Sequence, residues 1–137
     1  MRIKSILLVI FLLTLTTTQP QAKATRNLPA LASLPDYIVV GVTTTDYDTA
    51  KVRVKNQGVI TATPCYLALT IKTSAGTTKV FSPKVNGLAP GQETEVAVKT
   101  GLDLIQADYK AMVDRSNTVK ESDEANNTLS GKFGGKP

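Results

Sequence analysis

Val52-Arg53-Val54-Lys55-Asn56-Gln57-Gly58 is the stretch on which the reading of this chain turns. Across Thr49–Lys55, Val52 and Val54 alternate with Lys51, Arg53 and Lys55. That is the period-two pattern of a strand with one face on a core and the other in water. Asn56-Gln57-Gly58 closes it, with Asn and Gly read as residues that tolerate positive φ in a turn. Upstream, Tyr37–Thr45 puts Ile38, Val40 and Val42 on one face, and Asp46-Tyr47-Asp48 makes a tight link to Thr49. Downstream, a strand from about Pro64 to Lys72 sets Cys65, Leu67, Leu69 and Ile71 on one side. Pro64 has no amide donor and belongs at the strand's start or on an edge.

The pattern continues to the end of the chain. Ser74-Ala75-Gly76 turns into a strand over Thr77–Ser82, and Pro90-Gly91 marks a tight turn. Glu93–Lys99 then alternates, with Thr94, Val96 and Val98 on one face. Ala107–Asp114 points Tyr109, Ala111 and Val113 together, and a polar loop, Arg115–Asn127, leads to a last strand near Thr128–Phe133. Turn clusters recur about every 8 to 12 residues, and no segment sustains a helical period. Seven strands with hairpin-compatible links predict an all-β, immunoglobulin-like, two-sheet Greek-key sandwich over residues 35–133, with a small closed barrel as the main alternative. The core is predicted to include Val52, Val54, Leu67, Leu69, Val96, Val98, Tyr109, Ala111 and Val113. Tyr109 is also the candidate for the tyrosine that pins a sandwich corner through its hydroxyl.

The 137 residues leave room for one domain. Met1-Arg2-Ile3-Lys4 is a short positive segment, Ser5–Leu15 is apolar and uncharged, and Ala22-Lys23-Ala24 carries small residues where a signal peptidase reads. This is the anatomy of a secretory signal peptide over residues 1–24, too short in its apolar part to span a bilayer. Residues 25–34 read as a flexible arm and 134–137 as a frayed tail. The expected location is secreted or periplasmic, with no membrane insertion after cleavage.

Sixteen Lys and Arg face eleven Asp and Glu, but Arg2, Lys4 and Lys23 lie in the leader, which leaves thirteen against eleven. An excess of two gives no case for nucleic acid, which needs clustered cations on one face. Cys65 is the only cysteine, so no internal disulfide is available and packing must hold the fold. It reads as a small buried hydrophobe on its strand.

Chemistry is sparse. The chain has no histidine, hence no imidazole base, ligand or triad. No phosphate loop or nucleophile motif occurs. Asp36, Asp46, Asp48, Glu93, Glu95, Asp103 and Asp108 fall where solvated turns or outward strand faces are expected. No catalytic or cofactor-binding residue is assigned, and the chain is read as a non-enzyme. One segment stands apart, Asp114 to Asn127, with several carboxylates and side-chain amides in a single hairpin loop. Two readings compete. In one, Asp114, Asn117, Glu121, Asp123 and Glu124 form a calcium site, since a hard cation takes six to eight oxygens. In the other, which the spacing and the diluting charges of Arg115 and Lys120 favour, the loop bonds to itself, with Asn126 and Asn127 holding backbone groups and Glu121 assisting. Asn126-Asn127-Thr128 also matches a glycosylation sequon, read as coincidental.

These residues carry a family likeness. Pro35-Asp36-Tyr37-Ile38-Val39-Val40 is similar to a "PDLVV" opening, Val52 to Gly58 to "V-x-V-x-N-x-G", and Gly87-Leu88-Ala89-Pro90-Gly91-Gln92 to "GLAPGQ". Tyr109–Asp114 followed by Val119–Asn127 matches "Y-x-x-x-V-D … V-x-E-S-x-E-x-N-N". Four motifs in order at the right spacing, spanning Pro35 to Ser130, resemble the CARDB family, the cell-adhesion-related domain found in bacteria and archaea. The chain departs from that pattern in a shorter link between its first two strands and in carrying a single copy. The resemblance implies an extracytoplasmic, adhesion-type binding module that holds a protein or glycan partner without catalysis. The alternative is a soluble inhibitor or chaperone-like partner of an exported enzyme.

Overall fold

The computed structural model describes residues 33–134; the leader at 1–24, nearly all of the arm at 25–34 and nearly all of the tail lie outside the described residues. Alternating β-branched residues become strands in the order β1 (Tyr37–Thr44), β2 (Thr49–Asn56), β3 (Cys65–Lys72), β4 (Thr78–Phe81), β5 (Lys84–Val85), β6 (Glu93–Lys99), β7 (Asp108–Val113) and β8 (Thr128–Lys132). One sheet runs β1-β2-β6 and the other β4-β3-β7-β8, with β5 pairing the start of β3. All ladders are antiparallel. The chain crosses between sheets after β2, after β5 and after β6, so the fold is the two-sheet sandwich. The eighth strand, β5, is a two-residue addition that sets Val85 opposite Cys65.

Period-two burial follows the predicted register. Val52, Val54, Leu67, Leu69, Val98, Ala111 and Val113 are buried, while Val96 and Tyr109 are partly buried against the same core. The first strand differs. Tyr37 and Val39 are buried and Val40, pointing the other way, is exposed; a bulge between Val39 and Gly41 leaves Val40 without a partner. One extra residue shifts every later side chain to the other face. Val42 therefore returns to the core side opposite Val52, whereas Ile38 and Val40 do not share its face.

Two further local readings change. Gly58 does not have a positive φ; the glycines that do are Gly76, Gly91 and Gly101. Glycine is required at 58 because a Cβ there would lie 2.5 Å from Leu34 O and 2.6 Å from Asp36 N, both backbone atoms. The corner-pinning hydroxyl belongs to Tyr37, not Tyr109: it donates to Thr63 O at 2.9 Å and to Asn86 O at 3.3 Å, tying the first strand to both connections beside β3. Tyr109 instead lies across its register partner Gly131 and packs on Phe133, ring centroids 4.9 Å apart.

Candidate functional site

The segment after β7 is built from the carboxylate of Asp114. Asp114 takes a left-handed backbone (φ 48°), a conformation that Asp and Asn adopt more readily than other non-glycine residues. Its Oδ1 accepts from the Thr118 amide (3.0 Å) and hydroxyl (2.7 Å), and its Oδ2 accepts from the Val119 amide at 2.8 Å. This side chain closes residues 114–119 into a turn and delivers Val119 to the core. Asn117, also left-handed (φ 49°), donates its side-chain amide to Glu124 at 3.0 and 3.2 Å when oriented by its neighbours. Glu124 in turn accepts from the Glu121 amide at 2.9 Å. Asp123 faces outward and accepts from the Ala125 amide.

The loop is then tied to the beginning of the fold. Glu121 Oε1 accepts from the Tyr37 amide at 3.3 Å, Ser122 N donates to Pro35 O at 3.0 Å, and Asn126 Nδ2 donates to Asp36 Oδ1 at 3.0 Å. Asp36 also accepts from Gln57 Nε2 at 2.9 Å, and its amide donates to Asn56 Oδ1 at 3.1 Å. Asn56 is fully buried, and all four hydrogen-bonding positions of its side chain are used. Its Oδ1 also accepts from Gly58 N, and its Nδ2 donates to Ile60 O and Leu88 O. Asp36 is thus buried, contrary to the expectation of a solvated turn carboxylate. The reason is tertiary: its carboxylate takes its two donors from Gln57 and Asn126 while its amide donates to Asn56, partners that only the folded chain brings to it. The glycosylation-type Asn126 has its amide engaged here as well.

Burial pushes the Glu121 carboxyl up from its ordinary 4.5 to about 7; the hydrogen bond from the Tyr37 amide pulls the other way, and the Glu124 and Asp114 carboxylates add to the rise. Its Oε2 is buried without a hydrogen-bond partner among the described residues, as are Asn126 Oδ1 and Asn127 Oδ1. Asn127 serves the loop through its backbone, whose carbonyl accepts from Val113 N at 3.0 Å.

The five residues proposed from sequence as cation ligands therefore separate into different jobs. Asp114 holds its own turn, Asn117 and Glu124 hold each other, Asp123 faces solvent and Glu121 points inward to Tyr37. Among the described residues no three His, Cys, Asp or Glu side chains are grouped to hold a metal. The self-bonded loop is the arrangement found, with two changes: the Asn126 side chain bonds a carboxylate rather than a backbone group, and Asn127 contributes its backbone carbonyl rather than its side chain.

A second feature escaped the sequence reading because it depends on which strands become neighbours. The outer face of the β4-β3-β7-β8 sheet exposes Tyr66 (58 %) and Val80 (51 %). A depression of about 250 Å³ is lined there by Ala68, Thr70, Val80, Lys110, Met112 and Arg115. Register places Val80 opposite Thr70, Met112 opposite Ala68 and Lys110 opposite Thr70, so the apolar residues are contiguous across three strands.

A family model, CARDB, matches residues 35–131. No protein of curated function matches the chain. Among solved structures, the chain is similar to a domain of a candidate cell surface protein from Methanosarcina acetivorans (25 % identity, TM-score 0.63, covering 75 % of this chain and 93 % of that one). It is also similar to the CARDB domain of a Pyrococcus furiosus protein in complex with di-metal ions (25 % identity, TM-score 0.55, covering 76 % and 97 %). The carboxylates of the loop described above, engaged as they are with backbone and side-chain donors, do not fit a di-metal centre. The match runs from the residue before Asp36 to the glycine beneath Tyr109 and takes in the whole Asp36–Asn56–Glu121–Asn126 network, more than half of the sequence; this chain belongs to the CARDB family.

Proposed function

We propose that this chain is an extracytoplasmic binding module that holds a protein or glycan partner and catalyses no reaction. The observation that carries this reading is the outer face of the β4-β3-β7-β8 sheet. Its large apolar side chains lie in water around a shallow depression, while the buried carboxylates Asp114, Asp36 and Glu121 are engaged in holding the fold. An exposed apolar patch with polar surroundings marks an interaction surface. The similarity to a domain of a candidate cell surface protein agrees with a role outside the cytoplasm. Two measurements test the reading. N-terminal sequencing of the exported protein should begin at Thr25. The purified chain should bind at least one member of a random peptide library or a glycan array; binding to neither would sink the module reading.

A second reading keeps calcium in a reduced form. Glu121 Oε2, Asn126 Oδ1 and Asn127 Oδ1 are three buried acceptors of one loop with no donor among the described residues, and oxygens are what a hard cation takes. Thermal melting in millimolar calcium and in chelator decides it, since a ligand that binds only the folded state raises the midpoint by mass action. Coincident curves would remove calcium from the account.

A further inference from the structure

The two outer faces of the sandwich differ in charge. On β1-β2-β6, Lys51 bridges Glu95 at 2.8 Å, Lys55 bridges Glu93 at 3.8 Å and Lys99 bridges Asp48 at 3.7 Å, so that face largely neutralises itself. On β4-β3-β7-β8 the outward positions carry Lys72, Lys84, Lys110 and Lys132, with Arg115 just beyond β7. The single outward carboxylate of these strands is Asp108, and it pairs with Lys132 at 3.6 Å. Lys72 lies opposite the same Asp108 in register, and among the described residues Lys84, Lys110 and Arg115 form no salt bridge. Five cations against one carboxylate therefore surround the apolar centre made by Tyr66, Val80 and Met112.

We propose that this face receives an acidic segment of another protein, one that sets an apolar side chain into the depression and carboxylates against Lys110, Arg115 and the neighbouring lysines. The proposal rests on the module reading above and names its partner. Charge complementarity selects the sign, because like charges facing each other disfavour association. The same repulsion argues against a second copy of this chain on the face. The apolar centre selects polypeptide over polysaccharide: protein interfaces bury aromatic, Met and Arg side chains at their core, whereas a fully hydrated anionic sugar chain would leave Val80 and Met112 unmatched. Two of the four sheet edges are poorer docking places: β1 is bent by its bulge, and β4 is four residues long, carries Lys79 and is followed by Pro83.

The test is selection of a random dodecapeptide library displayed on phage against the purified chain, with heparin as a separate probe. Enriched peptides should carry Asp or Glu around an aromatic or aliphatic residue. They should bind about tenfold more weakly to the Lys110→Glu, Arg115→Glu double variant and weaken as salt rises, while Arg53→Gln on the opposite face leaves affinity unchanged. Both variants change exposed side chains, and an unaltered melting midpoint confirms that they fold. Neutral or basic winners, or winners that bind wild type and double variant equally, would overturn the acidic partner while leaving the module standing. Heparin binding lost in the double variant, with no acidic peptide enriched, would replace the protein partner by an anionic glycan. No binding by any probe would remove the module reading itself.

Discussion

The side-chain amide of Asn126 donates to the carboxylate of Asp36 across 3.0 Å, joining the end of the acidic loop to the residue just ahead of β1, 90 positions earlier. Asp36 is buried, so its carboxylate depends on Asn126 and Gln57 for donors. Through this contact the loop acts as a clasp that holds the first strand in its sheet.

Removing either partner should destabilise the domain, because a buried polar group left without its partner loses more than an average hydrogen bond contributes. Asn126→Ala is expected to cost about 1 to 2 kcal/mol, and Asp36→Ala a similar amount. The double variant should cost less than the sum, with a coupling of about 1 kcal/mol. Urea unfolding of the four proteins measures this, and strict additivity would show that the contact carries no energy.

Glu121 predicts a pH dependence. Its folded pKa, about 7, lies above the ordinary 4.5, so the folded state holds the proton more tightly than the unfolded state does. The resulting stabilisation is complete below about pH 4.5 and is lost as pH rises through 7. Glu121→Gln keeps an oxygen for the Tyr37 amide and removes the titration. Relative to wild type it should gain stability on the order of 1 to 2 kcal/mol at pH 8, and the gain should vanish near pH 4. Equal differences at the two pH values would refute the buried carboxyl.

Gly58 predicts a steric cost. A methyl group there meets the backbone of Leu34, Pro35 and Asp36, which no side-chain rotation can relieve. Gly58→Ala should therefore cost about 2 kcal/mol or more, in the range of an overpacked site. Gly134→Ala, where an added Cβ meets nothing within 4 Å, serves as the control and should be neutral. Thermal midpoints of the two variants compare them directly.

Cys65 is buried beneath the β3–β5 pairing, and burial pushes its thiol up to about 12, with the Asp114 and Glu121 carboxylates adding to the rise. The thiolate is the reacting species, so an aromatic disulfide reagent should label the native protein very slowly and the denatured protein at once. Fast native labelling, or a disulfide-linked dimer, would contradict this placement.

What the sequence determined by itself was seven of the eight strands and the buried side of β2, β3, β6 and β7. Val52 and Val54, Leu67 and Leu69, and Ala111 and Val113 could be assigned because alternation is a local property of the chain, written in consecutive residues. The conformation at Pro90-Gly91 was equally local: Gly91 takes φ 75°, and Gln92 N closes on Ala89 O at 3.0 Å. The self-bonded character of the 114–127 loop was legible too, since Asp114 reaches only to residues 118 and 119. Tertiary structure decided the rest. The bulge at Val40 arises from pairing against β2, and a strand read alone gives no sign of the inserted residue. Asp36 is buried because donors from Gln57 and Asn126 and an acceptor from Asn56 converge on it, and Gly58 is required because the chain at 34–36 passes over it. Neither neighbour is near in sequence. The basic, apolar-centred face follows the same rule: Tyr66, Val80, Lys110 and Arg115 are unremarkable singly and become one surface only when β4, β3 and β7 lie side by side.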